Sequence, residues 1–463
     1  MTDSDSPPIN LESLYGTSVE EETQQKAFSE GEVPVAVYGL GKMGLPLASV
    51  FAETCGNVIG ADIDPDVVAT LQDGGCHVKR EPGLDSLVAD LVDSRSLRAT
   101  TEPREASRDA SVHVVIVPTP ITDEKEPDLA ILDTVIGDIA TGLTEGDLVL
   151  IECTVPPQTT EQRVFEQLLE ESDLERGEFG VAFCPERTSS GRALKDIRGE
   201  YPKVVGGVDE ESTRAASVIY DTINSEGVLT VSNATTAEAV KLFEGLYRDV
   251  NIALANELAK FTDELGIDVR EAIDTANTQP FCHIHDPGPG VGGHCIPYYP
   301  YFLIKPFETP SPLLSTAREV NDSMPSFTVS KVREGLESQG IAIEDSTVVV
   351  LGLTYRPGVE EIRASPSISI THELTDLGAD VYAIDPLLDM FDAFEAQPID
   401  QEDIYDLGAD AIVLVTPHKE FEAIRWEELD TDPNGPAVLI DGRATLDNLD
   451  FDAWTYTISG GAR

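Results

Sequence analysis

The sequence predicts an α/β fold built from two doubly wound domains. A buried strand runs into a glycine-containing turn twice, at residues 33–44 (VPVAVYGLGKMG) and at residues 347–358 (TVVVLGLTYRPG). A helix-length stretch and a second strand follow each turn, and that second strand ends in an acid, Asp62 or Asp385. Strands that alternate with helices form parallel sheets. Each half is therefore predicted to be a doubly wound, Rossmann-like domain.

The same pattern divides the chain into four segments. Residues 1–32 are polar and acidic without a periodic apolar face, which predicts a disordered tail. The first Rossmann-like domain is predicted over residues 33–210 and the second over residues 336–463. Residues 211–335 show the apolar spacing of helices and are predicted to form a central helical region that joins the two domains.

The longest helix of the central region is predicted to begin near Thr235 and to end near Gly266. Thr235 and Glu238 have the spacing of a capping box, and a glycine is typical of the position after a helix. Polar residues at helical spacing form a stripe on it, namely Lys241, Glu244, Arg248 and Asn251. A solvated face is the usual explanation of such a stripe. Lysine is scarce in this acidic chain, which favours a functional one for Lys241.

Charge is the unusual feature of the composition. The 463 residues include 85 Asp and Glu against 31 Lys and Arg, for a formal net charge of −54. Phosphate backbones and anionic lipid surfaces would be repelled, so we expect neither nucleic acid nor membrane as a partner. Self-repulsion of this size is tolerable where the screening length falls to about 3 Å, as in about 1 M salt. The composition therefore indicates a salt-accumulating, halophilic cytoplasm.

Location and metal content follow from what the sequence lacks. It has no run of about 18 apolar residues and no basic, apolar leader at its start, so a cytoplasmic location is expected. The six cysteines show no zinc-type spacing. His283, His285 and His294 lie near one another in sequence without paired carboxylates at ligand spacing, so no metal is expected.

The first glycine-containing turn has the pattern of a dinucleotide site, G-x-G-x-x-G between a strand and a helix. Asp62, at the end of the second strand, would accept hydrogen bonds from the adenosine ribose and repel a 2′-phosphate, which favours NAD over NADP. The turn consists of Gly39, Leu40, Gly41, Lys42, Met43 and Gly44. In the second turn Arg356 follows the strand instead, and it either binds a nucleotide diphosphate or simply satisfies a helix terminus.

Cys295 follows a loop rich in glycine and proline, DPGPGVGGHC at residues 286–295. Such a loop loses much conformational entropy on folding, which favours a site that a ligand approaches closely. A thiolate there can add to an aldehyde, and the resulting thiohemiacetal can lose a hydride. A buried, inert cysteine is the alternative. The NAD site predicted in the same chain favours the interpretation of Cys295 as a nucleophile.

These motifs resemble those of the UDP-sugar 6-dehydrogenases, or nucleotide sugar dehydrogenases, over nearly all of residues 33–450. The resemblance implies an NAD domain, a helical core that forms a homodimer, and a C-terminal domain that binds the UDP of the substrate. It also implies two hydride transfers that take a sugar C6 alcohol to a carboxylate. The branch acting on UDP-N-acetyl-D-mannosamine is the most similar. The matching stretches include VYGLGKMGLPLA, VPTPIT, ECTVPPQTT, CPER, GPGVGGHCIP, AREVNDSMP and LGLTYRPGVEEIRASP.

The resemblance also implies residue roles. Cys295 corresponds to the nucleophile, Lys241 to the lysine that stabilises the oxyanion, Glu186 to the glutamate that assists thioester hydrolysis, and Thr154 to a threonine near the nicotinamide and the attacking water. The implied cofactor contacts are Thr119 and Arg363. The implied substrate or diphosphate contacts are Arg248, Asn251, Arg318, Arg356 and Arg443.

Three positions depart from the family pattern. Tyr299 replaces an Asp four residues after the cysteine, Gly245 replaces an Asn four residues after the lysine, and Phe281 replaces a diphosphate-binding Arg. The details of water activation and the shape of the sugar pocket therefore stay open. So do three alternatives: a UDP-glucose or UDP-N-acetylglucosamine 6-dehydrogenase, a two-electron enzyme that does not need Cys295, and a non-catalytic sugar-nucleotide-binding paralogue.

Overall fold

The computed structural model describes residues 13–431, 436–446, 453–458 and 460–462. The chain forms two compact units, which are described separately. The first comprises residues 1–243 and 301–306, and the second comprises residues 244–300 and 307–463. Within the part of the chain that is described, no helix is both long and apolar enough to cross a bilayer.

The first unit is built on an eight-stranded sheet with the strand order β3-β2-β1-β4-β5-β6-β7-β8. All neighbouring strands run parallel except β6 and β7, which are antiparallel. Strands β1, β4, β5 and β6 are buried along their whole length because helices cover both faces of the sheet. The strands are β1 (Val35–Tyr38), β2 (Val58–Ala61), β3 (Leu97–Thr100), β4 (Val112–Val115), β5 (Leu148–Ile151), β6 (Gly180–Phe183), β7 (Lys203–Gly207) and β8 (Val228–Thr230).

Helices alternate with these strands and leave an apolar core on each face of the sheet. One core contains Phe28, Phe51 and Tyr220, and the other contains Phe165 and Phe179. A π-helix, Thr160–Phe165, precedes α7. The helices are α1 (Glu21–Ser29), α2 (Gly44–Cys55), α3 (Pro65–Gln72), α4 (Leu84–Asp93), α5 (Pro103–Arg108), α6 (Ala130–Ala140), α7 (Glu166–Glu171), α8 (Ala193–Gly199) and α9 (Glu210–Ile223).

The prediction of a disordered tail is wrong for residues 13–32. Leu14, Tyr15 and Phe28 are buried in the first unit. The Tyr15 hydroxyl donates to Asp209 at 2.9 Å, and Arg214 donates to the backbone oxygen of Leu14 at 2.7 Å. Three apolar side chains were too few to give a sequence period, yet their burial and these hydrogen bonds hold the segment in the first unit. Residues 1–12 lie outside the described residues.

The boundary predicted at residue 210 is also too early. Strand β8 pairs in parallel with β7, and α9 contributes Ala215, Ile219 and Tyr220 to the first core. Helix α9 has the 3.6-residue period of any amphipathic helix, so its sequence did not distinguish a crossover helix from a helix of the central region.

Helix α10 (Ala234–Ala259) is the long helix predicted for the central region. Its N-terminus differs from the prediction, because the Asn233 side chain accepts the Thr236 backbone N–H at 2.8 Å, while Glu238 accepts from another segment. It also ends earlier than predicted. A separate turn, α11 (Thr262–Leu265), carries the chain to Gly266, which has the expected left-handed conformation.

The second unit contains a seven-stranded sheet with the strand order β11-β10-β9-β12-β13-β14-β15. It is parallel except for the antiparallel pair β14 and β15. Two doubly wound α/β sheets and a helical central region therefore confirm the predicted fold class. The strands are β9 (Thr347–Leu351), β10 (Asp380–Ile384), β11 (Gln397–Pro398), β12 (Ala411–Leu414), β13 (Val438–Asp441), β14 (Trp454–Thr457) and β15 (Gly461–Ala462). The remaining helices are α13 (Tyr301–Ile304), which belongs to the first unit, and α12 (Val269–Ala276), α14 (Pro312–Asp322), α15 (Met324–Ser338), α16 (Pro366–Asp376) and α17 (Trp426–Thr431), which belong to the second.

Candidate active site

The glycine turn after β1 has the geometry that a dinucleotide needs. Gly39 has a φ of +93°, and a β-carbon there would lie 2.5 Å from the Ile116 oxygen. A β-carbon at Gly44 would lie 2.0 Å from the Gly39 oxygen. At Gly41 it would meet no atom of the described residues within 4 Å, so the chain is open on that side. The turn therefore fits NAD, because the backbone at Gly41 leaves room for a pyrophosphate.

Asp62 lies at the carboxyl end of β2, beside the turn. Its carboxylate accepts the Leu40 N–H at 2.7 Å and the Asp64 N–H at 3.0 Å, which fixes its orientation. Ile63 is 86% exposed at the same strand end. Ile63 was not predicted, although an apolar residue directly after the strand-end acid is visible in the sequence. Lys42 is exposed and Met43 is half-buried.

Thr119 and Thr154 follow β4 and β5, and the structure brings them together. The Thr119 hydroxyl donates to the Thr154 backbone oxygen at 2.6 Å. The carboxyl ends of adjacent parallel strands meet at one edge of the sheet, which is where α/β proteins bind ligands. Both residues are therefore placed at the same edge of the sheet as the glycine turn.

Lys241 and Glu186 also come together, although 55 residues separate them. The Lys241 ammonium donates to the Glu186 backbone oxygen and lies 3.6 Å from Oε2 of the Glu186 carboxylate. Thr188 donates to Oε1 of the same carboxylate through both its N–H and its hydroxyl. Lys241 is only 8% exposed, so this cation is held away from bulk water on the inner side of α10.

A buried charged cluster behind Glu186 was not predicted. The Lys203 ammonium lies 2.5 Å from Oε2 of Glu152, and the Tyr220 hydroxyl donates to Oε1 of the same carboxylate. Burial raises the pKa of Glu152, although Lys203 and Tyr220 oppose the shift. A small cavity of about 20 Å³, room for about one water, is lined by this cluster and by Glu186. An acid inside the apolar run LVLIECT was the signal available in the sequence.

In the second unit, Cys295 is exposed at the end of the glycine-rich loop. The loop is fixed by the chain after β9, because the Gly293 N–H donates to the Arg363 backbone oxygen at 2.8 Å. A β-carbon at Gly292 would lie 2.7 Å from the Ala364 oxygen, so only glycine permits this approach. The glycines predicted to allow a close approach therefore serve in part to hold the Cys295 loop against its own unit.

The predicted substrate contacts have different environments in the second unit. Arg248 and Arg356 are exposed, as is the Arg363 side chain. Asn251 is engaged with the backbone, since it donates to the His283 oxygen at 2.6 Å and accepts the His285 N–H at 2.8 Å. These residues remain predictions as substrate contacts.

Two arginines of the predicted set are held by protein groups. Arg318 is buried, with its guanidinium 2.5 Å from Asp249 and also paired with Asp322. Arg443 lies against the glycine-rich loop, where a β-carbon at Gly288 would sit 2.3 Å from one of its nitrogens. Arg318 therefore has a structural partner, whatever else it contacts.

Asp385, which follows β10, binds the backbone of the turn after β9 as Asp62 binds the turn after β1, but Asp385 is covered by a side chain. The Asp385 carboxylate accepts the N–H groups of Leu353 at 2.6 Å and Thr354 at 3.0 Å, as Asp62 accepts that of Leu40. His418 covers it, with Nε2 at 3.1 Å. Burial is the largest single influence on the pKa of Asp385 and would raise it, but the hydrogen bond and charge of His418, together with the N–H groups of Leu387 and Leu353, outweigh burial and lower the pKa. The Asp385 carboxylate therefore fixes the turn that follows β9 in the second unit.

The loop histidines do not gather at one point. His294 pairs with Glu361 at 2.9 Å, whereas the backbone of His285 is held by Asn251. Among the described residues, the group with spacing suited to a metal is His372, Asp376 and Glu395, all exposed and remote in sequence from that loop. Phe281, one of the three departures, is 90% exposed.

An NAD-type turn, a lysine held beside a glutamate and an exposed cysteine on a glycine-rich loop define a nucleotide-dependent dehydrogenase. Residues 33–224, 235–323 and 349–448 match the NAD-binding, central and UDP-binding domains of the UDP-glucose/GDP-mannose dehydrogenase family. The chain belongs to this family. It is accordingly an NAD-dependent UDP-sugar dehydrogenase.

Similar proteins extend over most of the chain. The UDP-N-acetyl-D-mannosamine dehydrogenase of Pyrococcus horikoshii is 36% identical over 412 residues, 88% of this chain and 95% of that protein. The NDP-N-acetyl-D-galactosaminuronic acid dehydrogenase of Ralstonia nicotianae is 36% identical over 419 residues, with the same coverage of 88% and 95%. A solved structure of the Pyrococcus horikoshii enzyme has a TM-score of 0.86 at 34% identity, and the match covers 92% of this chain and 99% of that one.

Proposed function

We propose that the chain oxidises the C6 alcohol of UDP-N-acetyl-D-mannosamine to the carboxylate in two two-electron steps. The observation that carries the proposal is the exposed thiol of Cys295 on a loop fixed by the Arg363 backbone. The identity of 36% with UDP-N-acetyl-D-mannosamine dehydrogenases supports the choice of sugar. The product, an acidic sugar nucleotide, suits polysaccharide synthesis or glycosylation.

The cofactor is proposed to bind along the first sheet's carboxyl edge. Bound NAD accepts one hydride in each oxidation. The open backbone at Gly41 would receive the pyrophosphate, Asp62 the ribose hydroxyls, and the exposed side chain of Ile63 would pack on the adenine. The other proposed cofactor contacts are Gly39, Lys42, Met43, Gly44, Thr119 and Arg363.

Cys295 is proposed to act after the first oxidation. The alcohol loses a hydride and a proton to give an aldehyde, and the Cys295 thiolate then adds to C6 to form a thiohemiacetal. The thiohemiacetal loses its hydroxyl proton and a second hydride, which leaves a thioester. The oxygen of water then bonds to C6 as the C–S bond breaks, one proton of the water restores the thiol, and the other is released as the carboxylate forms. The oxygen on C6 carries negative charge in these steps, and Lys241 is proposed to stabilise it.

Glu186 and Thr154 are proposed to direct the hydrolytic water. The Glu186 carboxylate is oriented by Thr188 and by Lys241, and the backbone oxygen of Thr154 is fixed by Thr119. A carboxylate held in this way can take a proton from water as it attacks the thioester. Contacts to the UDP-sugar are proposed for Arg248, Asn251, Arg318, Arg356 and Arg443.

A homodimer is proposed from an apolar stripe. Tyr247, Leu254 and Phe261 are spaced seven residues apart along α10 and the turn after it, and they are 53%, 49% and 46% exposed. Large apolar groups on one helical face are typical of an interface. A cytoplasmic, salt-rich setting is proposed from the net charge of −54.

The substrate is tested by counting NADH per sugar in high KCl. UDP-N-acetyl-D-mannosamine, UDP-N-acetylglucosamine, UDP-glucose and UDP-galactose are each supplied in limiting amount. The proposal expects about two NADH per UDP-N-acetyl-D-mannosamine, one for each oxidation. One NADH would indicate the two-electron enzyme, and none with any sugar would indicate a binding paralogue. Two NADH from a different sugar would reassign the hexose.

A further inference from the structure

Glu238 lies on α10 one turn before Lys241, and its carboxylate is completely buried. Oε2 accepts the Gln158 N–H at 2.6 Å, and Oε1 accepts the Thr160 N–H at 2.7 Å. Both donors belong to the segment after β5, far from Glu238 in sequence. One side chain of α10 therefore holds two backbone groups of another element.

The segment held by Glu238 is the one that carries Thr154. Gln158 has a φ of +79°, a conformation that side-chain-bearing residues adopt rarely. Such a conformation persists only where the surroundings enforce it. The N–H groups on Gln158 and Thr160 are bound by Glu238, while Thr119 binds the Thr154 oxygen at 2.6 Å. The two contacts fix the segment at both ends.

The same turn of α10 also reaches Glu186. Lys241 donates to the Glu186 backbone oxygen, so Glu238 and Lys241 join α10 to two different segments. All of these residues belong to the first unit. A shift of either segment relative to α10 would change the distances among Thr154, Lys241 and Glu186 together.

We propose that Glu238 is a positioning residue, whose carboxylate fixes the Thr154 segment to the helix that carries Lys241. It has no direct role toward substrate or cofactor. The inference rests on the dehydrogenase activity and not on which hexose is oxidised.

Only the ionised side chain can make both contacts. Each oxygen of a carboxylate accepts, whereas a protonated acid or an amide presents one donor to a backbone N–H. Burial raises the pKa of Glu238 to about 7, although the hydrogen bonds from Thr160 and Gln158 oppose the shift. The neighbouring ionisable groups are Glu161 on the π-helix, Cys153 on the segment, and Lys241 on α10 itself.

The pH dependence has a definite sign. Because the folded pKa is raised above the ordinary value of 4.5, the stability linked to the protonated form is lost as the pH rises through about 7. The folded protein is therefore less stable toward unfolding when Glu238 is ionised and makes both contacts than when Glu238 is protonated. This stability is lost between pH 4.5 and about 7, whereas activity is expected to rise around pH 7, where Glu238 ionises in the folded protein.

The test is the Glu238→Gln variant, compared with wild type and with Glu161→Gln, which removes a nearby exposed carboxylate. The readouts are kcat against pH, the Kd for NAD and the melting temperature, measured with whichever UDP-sugar the wild type oxidises. Glu238→Gln is expected to lower kcat at pH 8 by roughly tenfold or more, since small misplacements of catalytic groups cost that much. NAD affinity and melting temperature should not fall, and the rise of kcat near pH 7 should disappear. The Glu161→Gln control should behave as wild type.

Two results with Glu238→Gln would overturn the assignment. One is a Glu238→Gln variant with wild-type kcat. The other is a parallel fall of kcat and melting temperature with the rise near pH 7 intact, which indicates a purely structural residue. A Glu238→Asp variant keeps the charge and is expected to keep a pH-dependent rise at reduced kcat. Loss of that rise in the Asp variant would also contradict the proposal.

Discussion

The ring of Tyr299 fills the space that a side chain at Gly245 would occupy. A β-carbon at position 245 would lie 2.4 Å from Cδ2 of Tyr299, which is far inside van der Waals contact. Tyr299 is buried, and its N–H donates to the Cys295 oxygen at 2.9 Å. Tyr299 and Gly245, two of the departures from the family pattern, are therefore linked by packing, because the tyrosine ring fits only when residue 245 has no side chain.

Gly245→Asn is accordingly expected to be destabilising, by about 1–3 kcal/mol, because it overpacks a filled site. Combining it with Tyr299→Asp should recover part of that loss. Urea denaturation of the two single variants and the double variant gives the coupling free energy, expected at about 0.5–3 kcal/mol. Additive effects would show that the two positions do not share this space.

Asp62→Ala is expected to weaken NAD binding and to narrow the preference for NAD over NADP. The carboxylate that repels a 2′-phosphate is removed, and the Leu40 N–H loses its acceptor. Binding titrations with both cofactors provide the measurement. An unchanged ratio of the two affinities would remove Asp62 from the cofactor site.

Lys203→Met is expected to be strongly destabilising, by about 3–5 kcal/mol, because Glu152 is left buried without its cationic partner. Burial already raises the pKa of Glu152, so the loss should be largest where the acid is ionised and should shrink as the acid takes up a proton at lower pH. The double variant Glu152→Gln/Lys203→Met is the matched control and should be closer to wild type. Equal destabilisation of both variants would show that the ion pair is not the cause.

Dilution of salt should destabilise the folded protein. A net charge of −54 produces self-repulsion that mobile ions must screen. Thermal unfolding in KCl from high to low concentration is expected to show a falling melting temperature. A melting temperature that does not depend on KCl would contradict the halophilic interpretation.

Much of the fold could be predicted because its signals are local. A buried strand, a glycine turn and a strand-end acid occur within one short stretch around Gly39 and Asp62, and again around Gly352 and Asp385. The predictions that were wrong concern contacts between residues that lie far apart in sequence. Tyr15 is ordered by Asp209, and Glu238 accepts from Gln158 instead of capping its own helix. Nothing near Tyr15 or Glu238 in sequence reveals those partners.

The candidate site divides in the same way. Gly41, Asp62 and Cys295 lie in stretches whose residue types indicate chemistry by themselves. The cluster of Glu152, Lys203 and Tyr220 was missed because three different elements supply it, and each residue alone has an ordinary explanation. The link between Gly245 and Tyr299 likewise depends on packing, which no spacing along the chain encodes.

The covalent role of Cys295 becomes observable when hydrolysis of the proposed thioester is slowed. A phenol such as Tyr299 is a poor base at neutral pH, so hydrolysis should depend on Glu186. Glu186→Gln is therefore mixed rapidly with excess NAD and UDP-N-acetyl-D-mannosamine, and the protein is analysed by mass spectrometry. We expect a burst of about two NADH per active site, then a stall with a sugar acyl adduct on Cys295, whereas wild type releases NADH steadily. A stalled or active variant with no adduct on Cys295 would contradict it.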